Sequence, residues 1–221
     1  MRNRHSSFVI RDSNDESRIT KHGRRIGLLG GSFNPAHAGH LHISRQALKR
    51  LKLDEIWWLV SPKNPLKQSS DLADYALRLN HARAIATHPR IRVMDVEQRH
   101  GLRYTIDTID YLTSHHPHTR FVWLMGADNL AGFHRWRAWR RIANALPIAI
   151  LDRAPYGLKA LHARFATTYA AARYSASASH TLATAATPCW AYLTIPRHPL
   201  SATDVRKTLG KDAFLRHNAR K

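Results

Sequence analysis

The sequence predicts an α/β protein whose parallel sheet is covered by helices on both faces. Short apolar runs suited to buried strands alternate along the chain with stretches whose apolar residues recur at helical spacing. A glycine-rich turn that begins at Gly30 directly follows the first apolar run and precedes a helical stretch. Parallel sheets bind ligands beyond the carboxyl ends of their strands, where the strand order reverses. We therefore expect the functional residues in loops that follow strands.

Six apolar runs are the candidate strands, because strands that are buried on both faces of a parallel sheet carry few polar residues. Turn residues bound several of them: Gly126 ends the run 121–125, and a proline-containing loop at 61–65 follows Val60. In chain order, the expected strands are 25–29, 56–60, 91–94, 121–125, 147–151 and 190–195.

The stretches between these runs place apolar residues three or four positions apart, which is the period of an amphipathic helix. In chain order, the expected helices are 41–51, 72–87, 105–114, 136–146 and 203–209. Residues 170–187 are rich in Ala, Ser and Thr without such a period, and we expect a weakly specified insertion there.

A chain of 221 residues is long enough for one domain with a substantial core, which we assign to residues 23–210. Residues 1–22 lack periodicity and predict a flexible basic tail, and 211–221 form a second basic tail. No apolar run reaches the roughly 18 residues of a membrane span, and the amino terminus lacks the apolar segment of a secretory signal. The single cysteine, Cys189, excludes an internal disulfide, favours a cytoplasmic location and suits a small buried position better than a nucleophile.

The chain is strongly basic, since 35 Lys and Arg against 15 Asp and Glu give a formal net charge of +20. Such a balance is typical of nucleic-acid-binding proteins, and it also suits an enzyme whose substrates are polyanions. No RNA-recognition or helix-turn-helix motif accompanies the charge. A basic nucleic-acid-binding protein without catalysis therefore stays open as the alternative from another class.

The glycine turn and the helix start behind it form a candidate anion site. Exposed backbone N–H groups and the helix dipole both favour a phosphate there. His37 and His40 lie three residues apart on the first helical turn and face the same way. The turn lacks a P-loop ending and a GxGxxG pattern, which disfavours kinase-like and dinucleotide-reductase sites. A zinc site at the two histidines and a purely structural turn are the alternatives, although no HExxH or cysteine cluster supports the metal.

Other predicted loops offer further polar groups. Ser201 or Thr203 can cap a helix whose amides attract an anion, and Arg206 one turn later can bind phosphate through two parallel hydrogen bonds. Lys63 and Asn64, in the loop after the second strand, can reach a phosphate or a ribose. Taken alone, these groups equally fit a capped helix and a solvated loop.

Two further groups of candidate ligand-binding residues follow the predicted strand 121–125. Asp128 can accept hydrogen bonds from ribose hydroxyls or can cap a turn. Trp136 and Trp139 lie three apart on the predicted helix 136–146, a spacing as typical of core packing as of stacking on a ligand.

The tetrapeptide HAGH at 37–40 resembles the (T/H)xGH signature of the adenylyltransferases and cytidylyltransferases, and LSATDVR at 200–206 resembles their second signature, ISSTxxR. Between them, RYT at 103–105 and GADNL at 126–130 with Trp136 resemble the bacterial nicotinate-nucleotide adenylyltransferases. The resemblance implies a single-domain, Rossmann-like nucleotidylyltransferase fold. It also implies transfer of AMP from ATP to nicotinate mononucleotide, which yields deamido-NAD and pyrophosphate in NAD biosynthesis.

The resemblance also assigns residue roles. It implies catalytic roles for His40, His37 and Arg206, with His40 steadying the transition state. The implied ATP- and phosphate-binding residues are Gly30, Gly31, Ser32, Phe33, His37, His40, Gly126, Asp128, Ser201, Thr203 and Arg206. The implied mononucleotide-binding residues are Lys63, Asn64, Tyr104, Thr105 and Trp136, the last stacked on the pyridine ring. Mg²⁺ is expected to enter with the triphosphate, and no carboxylate cage for a metal is expected from the motifs.

The acceptor is less closely specified than the reaction. Nicotinate and nicotinamide mononucleotides differ by one carboxylate against one carboxamide, and the motifs do not show the pocket that separates them. Phosphopantetheine is a further alternative, although adenylyltransferases for it lack the feature that joins GADNL to Trp136. Each of these acceptors presents a phosphate monoester whose second pKa of about 6 leaves it largely dianionic at neutral pH, so no general base is expected.

Overall fold

The computed structural model describes residues 23–62, 72–152 and 157–196. These residues contain a seven-stranded sheet whose neighbouring strands are all parallel. Its strands are β1 (Arg24–Gly31), β2 (Glu55–Val60), β3 (Ile91–Met94), β4 (Thr119–Gly126), β5 (Ile148–Asp152), β6 (Arg173–Tyr174) and β7 (Trp190–Thr194). The order β3-β2-β1-β4-β5-β7-β6 reverses between β1 and β4, so the predicted parallel α/β fold is confirmed.

Helices cover both faces of this sheet. They are α1 (Ala38–Arg50), α2 (Tyr75–Ile85), α3 (Val96–Arg99), α4 (Thr105–His115), α5 (Ala127–Leu130), α6 (Trp139–Ala145) and α7 (Arg164–Thr168). Short 3₁₀ turns lie at Phe133–Arg135, Gly157–His162, Ala170–Ala172 and Ser177–Thr184.

Alternate residues of each strand enter one of two apolar layers, as the period of two in a strand requires. Leu28 and Trp123 pack in the layer that contains α4 and α6. Leu29 and Val122 pack in the opposite layer with α1 and α2. Consequently α1, which follows β1, and α5, which follows β4, lie on opposite faces of the sheet. In an open parallel sheet, a ligand crevice is expected between two such strand ends.

Two boundaries and one segment differ from the sequence-based expectation. Helix α1 begins at Ala38 rather than Leu41, and α6 begins at Trp139, so Trp136 lies outside that helix. The segment 170–187 is not a weakly specified insertion, because β6 pairs with β7 and Leu182 in the following 3₁₀ turn is fully buried. Long-range strand pairing and burial order it where local periodicity gives no signal.

Several expectations lie outside the described residues: the tails 1–22 and 211–221, most of the loop 61–65 and the helix 203–209. The domain bounds 23–210 therefore stay a prediction. Within the described part of the chain, no helix is long and apolar enough to cross a membrane.

Candidate active site

The carboxyl ends of β1 and β4 form the centre of the candidate site. Both strands are neighbours at the point where the strand order reverses, and they end at Gly31 and Gly126. The glycine turn that leads to α1 and the loop that leads to α5 therefore start from the same edge of the sheet. This placement agrees with the position expected for a ligand in an open parallel sheet.

The turn after β1 is shaped by a buried aromatic side chain. Phe33 has a left-handed backbone (φ 46°), and the residue is only 2% exposed. The ring lies 5.2 Å from the ring of Trp58 and 4.7 Å from that of His40, measured between centroids. Because the ring of Phe33 is buried, the predicted contact of this residue with a nucleotide is through its backbone.

The two histidines close the first turn of α1 against each other. His37 is the N-cap residue, and its Nδ1 accepts a hydrogen bond from the Gly39 N–H at 3.0 Å. His40 occupies the third helical position, and its Nδ1 accepts a hydrogen bond from the His37 N–H at 3.2 Å. This is a capping box in which imidazoles replace the usual hydroxyl and carboxamide groups. The cap explains why the helix starts three residues before Leu41, the first residue of the predicted helix.

These hydrogen bonds assign the tautomer of both rings. A neutral imidazole has one donor and one acceptor nitrogen, so a ring that accepts at Nδ1 carries its proton on Nε2. The centroids of the two rings lie 4.0 Å apart, so the two imidazoles pack against each other at the start of α1. The side chain of His40 is half-buried, whereas His37 is only 4% exposed. His37 thus has a definite structural role, and its contact with phosphate stays a prediction.

A polar chain anchors His40 to the sheet. The indole N–H of Trp58 donates to the Ser44 hydroxyl at 2.7 Å, and this hydroxyl donates to the backbone carbonyl of His40 at 2.9 Å. Trp58 and Ser44 are fully buried. The first turn of α1 is therefore held in place relative to β2 by packing and by these two hydrogen bonds.

Gly30 connects this turn to the other half of the site. A Cβ at position 30 would lie 2.8 Å from Cη2 of Trp123, which is closer than carbon atoms pack. Trp123 in turn packs edge-on against Trp136, with ring centroids 6.2 Å apart. The glycine therefore allows the indole of Trp123 to approach the backbone, and that indole links the glycine turn to the predicted mononucleotide side.

Tyr104 and Trp136, two of the residues predicted to bind the mononucleotide, both pack against the apolar layer that contains α4. Tyr104 is the N-cap residue of α4, without a side-chain capping bond, and Thr105 is its first residue. Trp136 is not helical but follows the 3₁₀ turn Phe133–Arg135, and its half-buried ring packs edge-on against Phe133 at 5.2 Å. The guanidinium carbon of Arg137 lies 4.5 Å from the ring centroid of Tyr104. The sequence motifs did not single out this arginine.

The remaining predicted residues divide into those that the structure places and those that it does not. Gly126 is buried and is the N-cap of α5, and Asp128 is half-buried in the first turn of that helix. The residues predicted on the other loops cannot be placed: Lys63, Asn64, Ser201, Thr203 and Arg206 lie outside the described residues. Trp139 is buried in the core, as the packing alternative expected.

Cys189 is buried, and burial raises the pKa of its thiol to about 11, which agrees with a structural role. Among the described residues, no group of three or more His, Cys, Asp or Glu side chains is arranged to hold a metal ion.

Two buried charged residues near this edge of the sheet were not predicted from the sequence. Arg78 of α2 is 1% exposed and donates hydrogen bonds to the turn after β1 and to the loop after β2. Glu97 of α3 is buried and accepts a hydrogen bond from the Thr108 hydroxyl at 3.2 Å, which connects it to α4. Burial raises the pKa of this carboxyl above its ordinary value. A sequence pattern that could have indicated the burial of Arg78 is its position four residues before Ala82, because residues four apart share one face of a helix and Ala82 is buried.

The family model for cytidylyltransferase-like proteins matches residues 28–208. A relative from Methylorubrum extorquens, named as a probable nicotinate-nucleotide adenylyltransferase, is 53% identical over 182 residues, which cover 82% of this chain and 98% of the relative. A relative of the same name from Bradyrhizobium sp. (strain ORS 278) is 50% identical over 186 residues, covering 84% of this chain and 97% of the relative.

Solved structures agree with the fold. Nicotinic acid mononucleotide adenylyltransferase of Plasmodium falciparum, complexed with NaAD, superposes with a TM-score of 0.64 at 19% identity, over 86% of this chain and 85% of that chain. The same enzyme complexed with APC superposes with a TM-score of 0.62 at 18% identity over the same shares. The family model and the relatives at about half identity confirm the resemblance carried by the two signatures. The chain belongs to the cytidylyltransferase-like family and, within it, to the nicotinate-nucleotide adenylyltransferases.

Proposed function

We propose that this chain uses the crevice between the ends of β1 and β4 to transfer the adenylyl group of ATP to nicotinate mononucleotide, releasing deamido-NAD and pyrophosphate. The reaction is the one named for relatives that are about half identical over nearly their whole length. The observation in the structure that carries the proposal is the histidine-capped glycine turn at the point where the strand order reverses.

The reaction requires the protein to position the two substrates and does not require a general base. A phosphate oxygen of the mononucleotide attacks the α-phosphorus of ATP, and the bond from that phosphorus to the bridging oxygen of pyrophosphate breaks. The attacking phosphate is largely dianionic at neutral pH because its second pKa is about 6. No proton therefore has to move to the protein, and catalysis consists of holding two anions together and stabilising the leaving pyrophosphate.

The turn after β1 supplies donors suited to that task. We assign the phosphates of ATP to the backbone N–H groups from Gly30 to Phe33 and to the Nε2–H group of His40. Because the His40 ring is fixed by its capping bond and by Phe33, its Nε2–H group is oriented before the nucleotide binds. A preoriented donor needs no reorganisation as charge develops on pyrophosphate. Gly126 and Asp128 would face the adenosine side.

The acceptor side is assigned to the group around α4. Trp136 would stack on the pyridine ring, while Tyr104 and Thr105 place the start of α4 beside the carboxylate of nicotinate. The positive end of the helix dipole stabilises an anion there. The guanidinium of Arg137 over the Tyr104 ring adds a positive charge on the same side. Both features favour a nicotinate carboxylate over an uncharged carboxamide.

We propose that Mg²⁺ enters the site bound to the phosphates of ATP. The described residues offer no cluster that would hold the ion by themselves. Mg²⁺ is commonly held by one or two carboxylates, waters and substrate phosphates, and when bound it would neutralise phosphate charge.

The single cysteine is consistent with the proposed cytoplasmic location.

Pyrophosphate release and product formation test the proposal. The purified chain is incubated with ATP, Mg²⁺ and, in separate reactions, nicotinate mononucleotide, nicotinamide mononucleotide or phosphopantetheine, and products are separated by chromatography. We expect deamido-NAD to form with the highest kcat/KM. A higher kcat/KM with either other acceptor contradicts the assigned substrate. Absence of transfer with all three, together with salt-sensitive binding to RNA or DNA, would favour the nucleic-acid alternative.

A further inference from the structure

Arg78 is the charged side chain most deeply buried beside the candidate site. It lies in the first turn of α2 and is 1% exposed. Its Nη1 donates to the carbonyl of Ser32 at 2.6 Å and to that of Ser61 at 2.8 Å. Its Nη2 donates to the carbonyl of Pro62 at 2.9 Å, and its Nε to that of Ala73 at 2.9 Å. One guanidinium thus joins the turn after β1, the loop after β2 and the start of α2.

A cation in this position calls for an explanation beyond packing. Removing a charged group from water is strongly unfavourable unless it is compensated, and burial lowers the pKa of this guanidinium. Among the described residues, no carboxylate lies within ion-pair distance of Arg78. Its four hydrogen bonds described above all go to backbone carbonyls, which carry only partial charges. The guanidinium carbon also lies 5.4 Å from the ring centroid of Tyr75, and the Asp74 carboxylate favours the charged form without pairing with it directly. The positive charge is therefore held by carbonyls and a ring, directly behind a turn that is proposed to bind a polyanion.

The hydrogen bond to Ser32 has a directional consequence. In a trans peptide the C=O and the N–H of the same unit point in opposite directions. Since the carbonyl of Ser32 faces the guanidinium, the N–H of Phe33 faces away from it. A carbonyl that accepts a charge-assisted hydrogen bond also polarises its peptide, which makes the opposite N–H a stronger donor.

We infer that Arg78 is a positioning residue for the nucleotide phosphates: it orients and polarises the Ser32–Phe33 peptide and adds a buried positive charge behind the glycine turn. The inference rests on the proposed function for the identity of the anion. Lysine cannot replace it, because a single ammonium nitrogen cannot reach carbonyls of three segments as a planar fork does.

Two variants and a matched control test this role. Arg78→Lys keeps the charge and loses the fork, and Arg78→Met loses both. Arg92→Met removes the same charge near the amino ends of β2 and β3, where Arg92 pairs with Glu55 at 3.0 Å. For each protein we would measure the melting temperature, kcat, both KM values, and the affinity for pyrophosphate alone by calorimetry.

We expect Arg78→Lys to fold and to lose roughly ten- to a hundredfold in kcat/KM for ATP, the range of one or two charge-assisted hydrogen bonds. Its pyrophosphate affinity should fall in parallel, while its KM for the mononucleotide and all parameters of Arg92→Met stay within about twofold of the native protein. Arg78→Met should lose at least as much as Arg78→Lys.

Three results would overturn the inference: unchanged ATP kinetics in Arg78→Lys, equal losses toward both substrates, or failure of Arg78→Lys to fold. Each would leave Arg78 as a purely structural residue. If the native protein binds pyrophosphate but adenylylates no acceptor, the proposed function fails instead. The role of Arg78 is then judged by the pyrophosphate affinity of the variants.

Discussion

Replacing His40 by Asn should separate its role in the helix cap from its role in catalysis. The Nδ1 of His40 accepts the His37 N–H at 3.2 Å, and the Oδ1 of an Asn at this position takes nearly the same place. Asn has no group in the position of Nε2. His40→Asn therefore keeps the capping acceptor and removes the proposed phosphate donor, whereas His40→Ala removes both.

The expected magnitudes differ enough to distinguish the two roles. Both variants lose the packing of the ring on Phe33, so the difference in their stability reports the capping bond, at about 1 kcal/mol. In a domain of this size that difference corresponds to roughly 2–4 °C in melting temperature. Loss of one preoriented donor to developing charge lowers kcat by about 10²–10³.

Two assays distinguish the capping role of His40 from its catalytic role. Pyrophosphate release at saturating ATP and nicotinate mononucleotide gives kcat, and urea unfolding gives the free energy of unfolding. We expect both variants to have lost turnover to a similar extent, with His40→Asn the more stable. A His40→Asn protein whose kcat stays within about threefold of the native value would rule out the phosphate donor, because the imidazole would then serve only the cap.

Three further outcomes are expected. Trp136→Ala should weaken nicotinate mononucleotide binding roughly tenfold, through lost stacking and burial, with ATP binding little changed; calorimetry with each substrate checks this, and an unaltered mononucleotide affinity counts against stacking. Gly30→Ala places a Cβ 2.8 Å from the Trp123 ring, so we expect about 1–3 kcal/mol of lost stability in urea unfolding together with reduced turnover; native-like values for both would mean that the indole moves freely. Because burial raises the pKa of Glu97 above its ordinary 4.5, the folded state holds that proton more tightly, and stability declines as the pH rises from the ordinary to the raised value. Glu97→Gln should flatten this decline in unfolding measurements across pH, and an identical pH profile would contradict it.

Much of the fold was predictable because its signals are local. The buried strands of a parallel sheet are continuous apolar runs, so β2 and β3 lie within one residue of their expected bounds. The start of α4 at Thr105 is also as expected. The reversal between β1 and β4 follows from topology, and it brings together the two glycine-containing loops that the motifs had singled out.

What the sequence could not reveal depends on contacts between distant segments. The early start of α1 requires the mutual capping of His37 and His40, which the spacing alone does not distinguish from two exposed rings. The burial of Arg78 depends on carbonyls that lie 16 to 46 residues away as well as on a local one. The strand β6 is recognisable only through its pairing with β7, because its two residues, Arg173 and Tyr174, are too few to carry a periodic signal.

A crystal structure of the protein with a non-transferable ATP analogue and nicotinate mononucleotide would show whether the glycine turn and His40 bind the triphosphate. We predict a triphosphate oxygen about 3 Å from Nε2 of His40, the distance of a hydrogen bond, with the phosphates against the turn from Gly30 to Phe33. We also predict the pyridine ring on Trp136. A triphosphate bound away from the ends of β1 and β4, or Nε2 of His40 hydrogen-bonded to protein in that complex, would contradict this binding mode.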